Sequence, residues 1–268
     1  MSELEVAIGG FGAIGREVAA ALVAGLPGLR LAAGGGGDRA KAEAGLAELG
    51  AAVPVLPLEA LAEAAEIVLE CLPAAVFRQV AEPAIERGRV FMPLSVGQLL
   101  VHGDLIERAK VTGARILPPT GALIGLDAVR AAAEGRIESV AMVTRKAPGG
   151  LAGAPHLVEN GISVEGLTEP LMVFEGTARE GARGFPANVN VAAALSLAGI
   201  GPDRTMLQVW ADPKVTRNVH RIIVEADSAR FEMRIENVPS ANPKTGRITA
   251  LSTIAALRGL TATLKVGS

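Results

Sequence analysis

A glycine turn set between a strand and a helix constrains this chain more than any other feature. Val6, Ala7 and Ile8 form a short apolar run. Gly9 to Gly15 follow, and Arg16 to Leu22 continue as helix-forming residues. Read from Gly10, the turn has the pattern G-x-G-x-x-G, with Gly10, Gly12 and Gly15 at the glycine positions and Phe11, Ala13 and Ile14 between them. Each glycine meets a separate demand. The first allows the tight turn out of the strand, the second lets the backbone approach a pyrophosphate, and the third lets the helix pack close to the strand. The N–H groups that open the helix then face an anion. The turn therefore predicts a dinucleotide site, with NAD or NADP as its ligand.

The next hundred residues repeat the same alternation. Apolar runs at Leu29–Ala33, Ile67–Cys71, Val90–Leu94 and Arg115–Leu117 read as strands. Helical stretches at 39–50, 57–65, 74–87 and 99–112 lie between them, closed by glycine or proline. Strands alternating with helices predict an α/β fold with a doubly wound parallel sheet, whose ligands lie beyond the carboxyl ends of the strands. Those ends carry Gly9–Gly15, Cys71-Leu72-Pro73 and Ser95-Val96-Gly97. An acidic residue about 20 positions past such a glycine motif usually holds the ribose 2′-hydroxyl of NAD. Here Gly34 to Gly37 occupy that region, Asp38 comes late and Arg39 follows. Both nicotinamide cofactors remain open.

After Pro118-Pro119 the pattern changes. A helix at 126–134 precedes strands at 137–146, 171–178, 205–211, 218–226 and 230–237, with a helix at 187–198 and a last one near 246–259. Short turns such as Ala226-Asp227-Ser228 imply a largely antiparallel sheet with helices on one face. The expected organisation is a Rossmann domain over 1–119, a substrate and dimerisation domain over 120–240, and a C-terminal segment, 241–268, packing back on the first.

Composition narrows the function. The chain has 268 residues, half of them hydrophobic, and a net charge of -2, so no basic surface points to nucleic acid. The longest uncharged stretch, 184–202, holds Pro186, Asn188 and Asn190 and reads as a buried helix, too short to cross a membrane. No basic region leads into an apolar core at the start, and there is one cysteine, so a cytoplasmic location is expected. With no tyrosine, a Tyr–Lys proton-donor pair is excluded.

Three histidines remain, His102, His156 and His220, too scattered for a metal signature. His102 reads as a surface residue beside a helix start, and His156 as an exposed loop residue. His220 is the catalytic candidate. Alternation places it on one strand face with Asn218, and its imidazole titrates nearest neutrality. A satisfied structural histidine is the competing reading. Cys71, ending a buried strand, reads as a small apolar residue. Asn190 opens an apolar helix. Asn242 to Gly246 lead into the last one, where Lys244 and Thr245 are candidates to hold a carboxylate, with a plain helix start as the alternative. Arg145, Lys146 and Arg183 are further candidate anion partners, with a solvated surface as the default.

Several segments together resemble the L-aspartate dehydrogenase family: Pro119 to Ala128, Thr144 to Pro148, Phe185 to Ala194, Ala211-Asp212-Pro213 with Arg217 to His220, and Asn242 to Thr245. The similarity runs from Gly9 to about Gly259. Thr120 stands where serine is common, and Gly246 where serine often follows. The resemblance implies a homodimer that oxidises L-aspartate with NAD or NADP to iminoaspartate, and then to oxaloacetate and ammonia. It assigns His220 the catalytic role and makes Ala122 and Asn190 cofactor contacts. Related two-domain oxidoreductases, such as homoserine dehydrogenase or dihydrodipicolinate reductase, and a non-catalytic NAD(P) sensor are the competing functions.

Overall fold

The computed structural model describes residues 3–186, 189–240 and 246–267. Its contacts divide the chain into two compact units, one of 1–121 with 249–266 and one built on 122–248.

The first unit holds strands β1 (Leu4–Gly9), β2 (Leu29–Gly35), β3 (Ile67–Glu70), β4 (Val90–Pro93) and β5 (Arg115–Ile116), all parallel, in the order β2-β1-β3-β4-β5. Helices α1 (Ala13–Gly25), α2 (Arg39–Glu48), α3 (Leu61–Ala64), α4 (Phe77–Glu86), α5 (Gly97–Val101) and α6 (Gly103–Thr112) connect them. Val6, Ala7, Ile8, Ile67, Val68 and Leu69 are buried, as apolar runs in a sheet covered on both faces must be. The single helix expected over 99–112 is two. His102 has non-helical φ and ψ between them, and its ring stacks on Phe77 at 6.0 Å rather than lying in solvent.

Strand β1 pairs with β2 on one side and β3 on the other, so the strand order reverses at β1. The glycine turn leaves β1 at that reversal, where open α/β sheets bind their ligands. Backbone bonds from Gly10 N–H to the Gly35 carbonyl and from Cys71 N–H to the Gly9 carbonyl, both 2.7 Å, hold the ends of β2, β1 and β3 together.

The second unit is built on β6 (Ile137–Lys146), β7 (Leu171–Thr177), β8 (Thr205–Ala211), β9 (Asn218–Ala226) and β10 (Arg230–Asn237), in the order β10-β9-β6-β8-β7. Three pairings are antiparallel, but β6 and β8 run parallel. Parallel neighbours need a long crossover. The chain supplies one through α8 (Pro155–Glu159), β7, α9 (Ala178–Gly184) and α10 (Asn190–Ala198), while α7 (Leu126–Ala133) precedes the sheet. Neither α8 nor α9 was anticipated. Pro155 starts α8, and Thr177 caps α9 in a reciprocal box with Glu180. His156, placed by α8, is half-buried, with Phe174 and Phe185 each 5.3 Å away, which replaces the expected exposed loop histidine.

The last helix, α11 (Ile248–Thr261), lies mostly in the first unit. Leu257 is fully buried in the core that contains Leu22, Leu26 and Leu29, and Thr261 Oγ1 donates to the Pro27 carbonyl at 2.8 Å.

Candidate active site

The glycines of the turn differ in what confines them. A Cβ on Gly15 would fall on the Gly10 carbonyl oxygen, and one on Gly10 would fall on the Cys71 carbonyl, with Gly10 also at φ +104°. A Cβ on Gly12 would meet nothing within 4 Å. Packing therefore explains Gly10 and Gly15, whereas Gly12 has open space beside it at the N-cap of α1. Helix α1 opens at Gly12 with no side-chain cap and no acidic residue in its first turn, which suits a phosphate. Gly12 and Ala13 are exposed and Ile14 half-buried. Phe11 is turned inward, 5 % exposed, against Gly34, Gly45 and Leu46. What Phe11 offers a ligand is backbone. These features fit a dinucleotide pyrophosphate.

Sequence reading missed Glu70. It is fully buried at the end of β3, and its carboxylate accepts Leu72 N–H at 2.7 Å, Ser95 Oγ–H at 3.0 Å and Ser95 N–H at 3.0 Å. One carboxylate thereby ties together the loops after β3 and β4. Burial raises its pKa above the usual carboxylate value against those lowering bonds. Burial, with the Glu70 charge, also pushes the Cys71 thiol well up, which disfavours its thiolate.

The second cluster lies at one end of the buried face of the second sheet. Strand alternation turns Val140, Met142, Thr144 and Lys146 of β6 inward, beside Asn218, His220, Ile222 and Val224 of β9. Most of that face is apolar, and its end is polar. His220 is 2 % exposed and pairs in register with Thr144, whose Oγ1 lies 3.2 Å from Nδ1. Lys146 and Asn237 are each 3 % exposed, and Asn218 is also buried. Asn237 pairs with Asn218 and donates from Nδ2 to the Ala122 carbonyl at 2.8 Å. Ala122 and Asn218 thus join His220 at one end of the sheet.

The neighbouring Arg145 points the other way. It bonds buried Asp212 at 3.1 Å and stacks over Trp210 at 4.6 Å. Asp212 also accepts Lys214 N–H at 2.9 Å, fixing the loop that delivers β9. Asn190 begins α10 and is half-buried. Lys244, Thr245 and Asn188 lie outside the described residues. Gly246, which follows them, bridges to Pro239, and a Cβ there would come 2.9 Å from Asn237 Cβ. That crowding favours glycine at this position in this chain.

Burial, then the Lys146 charge, depress the His220 pKa to about 3. The imidazole is neutral at neutral pH. With Nδ1–H donating to Thr144, Nε2 presents a lone pair; with Thr144 donating, Nε2 carries the proton. A dicarboxylate beside His220 and Lys146 would offset the lysine and raise the histidine's basicity. The depressed value has a consequence for stability. The unfolded chain protonates His220 below its ordinary value of 6.5, and the folded chain resists down to about 3. Stability therefore falls through this window, by about 1.4 kcal/mol per pH unit from this group. Thermal melting of His220→Gln between pH 7 and pH 4 should show a shallower acid limb than the parent; parallel curves would contradict this.

The fold and the glycine turn mark the class, a dinucleotide-binding oxidoreductase with a Rossmann unit and a second, mixed sheet. Residues 10–119 match the family model described as homoserine dehydrogenase, NAD binding domain, and residues 127–260 match aspartate dehydrogenase, C-terminal. An L-aspartate dehydrogenase of Bradyrhizobium diazoefficiens is 60 % identical, covering 100 % of this chain and 95 % of the relative. L-aspartate dehydrogenase 3 of Bordetella bronchiseptica is 54 % identical, over 99 % and 98 %. The crystal structure of aspartate dehydrogenase from Thermotoga maritima shares the fold with a TM-score of 0.73 at 21 % identity, covering 99 % of this chain and 100 % of that one. The chain belongs to the L-aspartate dehydrogenase family. No helix among its described residues is long and apolar enough to cross a membrane.

Proposed function

We propose that this chain catalyses the reversible, NAD(P)-dependent oxidative deamination of L-aspartate to oxaloacetate and ammonia through iminoaspartate. The observation that carries the reading is the His220–Thr144 pair, set with Lys146 and Asn218 in the polar end of an otherwise apolar sheet face. Gly10 to Gly15, with the Cys71-Leu72 and Ser95 loops that Glu70 ties together, would hold the dinucleotide, and Ala122 and Asn190 are further contacts by family resemblance. The nicotinamide, when bound, accepts the α-hydrogen of aspartate as hydride. His220 Nε2 acts on the protons. Before the hydride leaves, it takes one from the substrate ammonium, which frees the nitrogen lone pair to form the C=N bond, or it afterwards takes one from the water that adds to the imine. Thr144 holds the ring in place. Lys146 supplies positive charge for a carboxylate, and Asn218 supplies an amide; Lys244 and Thr245 are assigned to the second carboxylate.

Residues 1–119 are assigned to the cofactor, 120–240 to substrate and dimerisation, and 241–268 to closing the first domain. A homodimer, a cytoplasmic location, a supply of imine to NAD biosynthesis, and no nucleic-acid or membrane partner complete the proposal. Light scattering tests the dimer. A substrate panel tests the reaction. With either nicotinamide, L-aspartate should be oxidised and homoserine should not. Oxidation of homoserine would move the chain to the related class, and cofactor binding without turnover of any amino acid would make it a sensor.

A further inference from the structure

The end of β2 is where enzymes of this fold choose between NAD and NADP, usually through an acidic side chain that takes the ribose hydroxyls and repels a 2′-phosphate. Four glycines occupy the position here, for two different reasons. A Cβ on Gly34 would lie 2.7 Å from the Phe11 ring, and one on Gly35 would lie 2.9 Å from the Leu56 carbonyl. Those two are required by packing. A Cβ on Gly36 would find its nearest atom at 3.5 Å, and one on Gly37 would find nothing within 4 Å. Neither has the positive φ that demands glycine. The fold accepts a side chain at both positions, and the sequence leaves the space open just past the strand.

The first carboxylate after the strand, Asp38, is directed to the helix. It caps α2, its Oδ1 accepting Lys41 N–H at 3.1 Å. Arg39 comes next, exposed. Its guanidinium bonds Glu43 at 2.7 Å across one helical turn, an exposed pair too weak to hold it against a phosphate dianion. We infer that this chain selects NADP over NAD, with Gly36 and Gly37 giving room for the 2′-phosphate and Arg39 as the specificity-determining residue. The inference rests on the dinucleotide site of the proposed dehydrogenase and names its preferred ligand.

Direct titration of the nicotinamide fluorescence with NADPH and with NADH tests it without requiring turnover. The parent should bind NADPH more tightly than NADH, by a margin that shrinks as salt rises. Arg39→Ala should weaken NADPH binding about tenfold or more and leave NADH binding unchanged. Gly36→Asp, which has room, should weaken NADPH and strengthen NADH. Circular dichroism checks that both variants fold. Equal or tighter binding of NADH by the parent overturns the selection and leaves the dehydrogenase reading intact. So does an equal loss for both cofactors in Arg39→Ala. NADPH selectivity without aspartate turnover upholds the selection while the proposed reaction falls. Binding of neither cofactor overturns both.

Discussion

His220→Ala should lower turnover of L-aspartate by about a hundred- to ten-thousand-fold, the usual span of a lost general acid–base group, while NADPH binding is unchanged. The two effects separate because His220 and the glycine turn belong to different compact units. The alanine variant also leaves a cavity and an unpaired Thr144 hydroxyl, at a cost of about 1–3 kcal/mol. His220→Gln is therefore the control, since it can keep a hydrogen bond to Thr144 without transferring protons near neutrality. If His220 were only structural, the glutamine variant would recover turnover, and the pH profile of kcat would keep its shape. With a catalytic role, kcat stays low and the limb that reports the imidazole disappears.

Gly12→Ala and Gly15→Ala should fail in different ways, although both alter the same turn. Gly12→Ala meets no protein atom within 4 Å. Its φ of -75° and ψ of -167° suit alanine. Its melting temperature should match the parent's, and its dinucleotide binding should be largely lost, because the new methyl can collide only with the ligand. Gly15→Ala drives a methyl into the Gly10 carbonyl, and the turn must shift. Overpacking of this kind costs about 2–3 kcal/mol, a drop of roughly 5–10 °C in melting temperature. Melting curves and NADPH titrations on the two variants separate the roles. Unimpaired binding by Gly12→Ala would remove the pyrophosphate from this turn.

Much of this fold was legible because each strand carries its own signal. The apolar runs at Val6–Ile8 and Ile67–Leu69 are buried on both faces, and such runs are visible without knowing their neighbours. Which strands pair is a long-range matter. The parallel pairing of β6 with β8 could not be read from turns that describe only consecutive strands. Helix α9 was missed although Thr177 and Glu180 spell its cap, because the strand before it hid the boundary.

The site shows the same division. His220 stood out as the histidine on an alternating strand. Arg145 and Lys146 were read together as candidate anion partners with a solvated surface as the default, yet strand parity separates them. It sends Arg145 to Asp212 and Trp210 and turns Lys146 inward with Met142 and Thr144. Glu70 was passed over inside an apolar run, where a lone carboxylate was itself the signal. Its partners, Leu72 and Ser95, come from two loops, and only the folded sheet brings them together.

The most direct test follows the absorbance of reduced nicotinamide, NADPH or NADH, with oxaloacetate and ammonia added singly and together. Consumption only when both are present, lost in His220→Gln, is the expected result. Consumption with oxaloacetate alone would mean reduction of the ketone, and no consumption with both would mean that this chain does not form the C–N bond; either would contradict the proposed reaction.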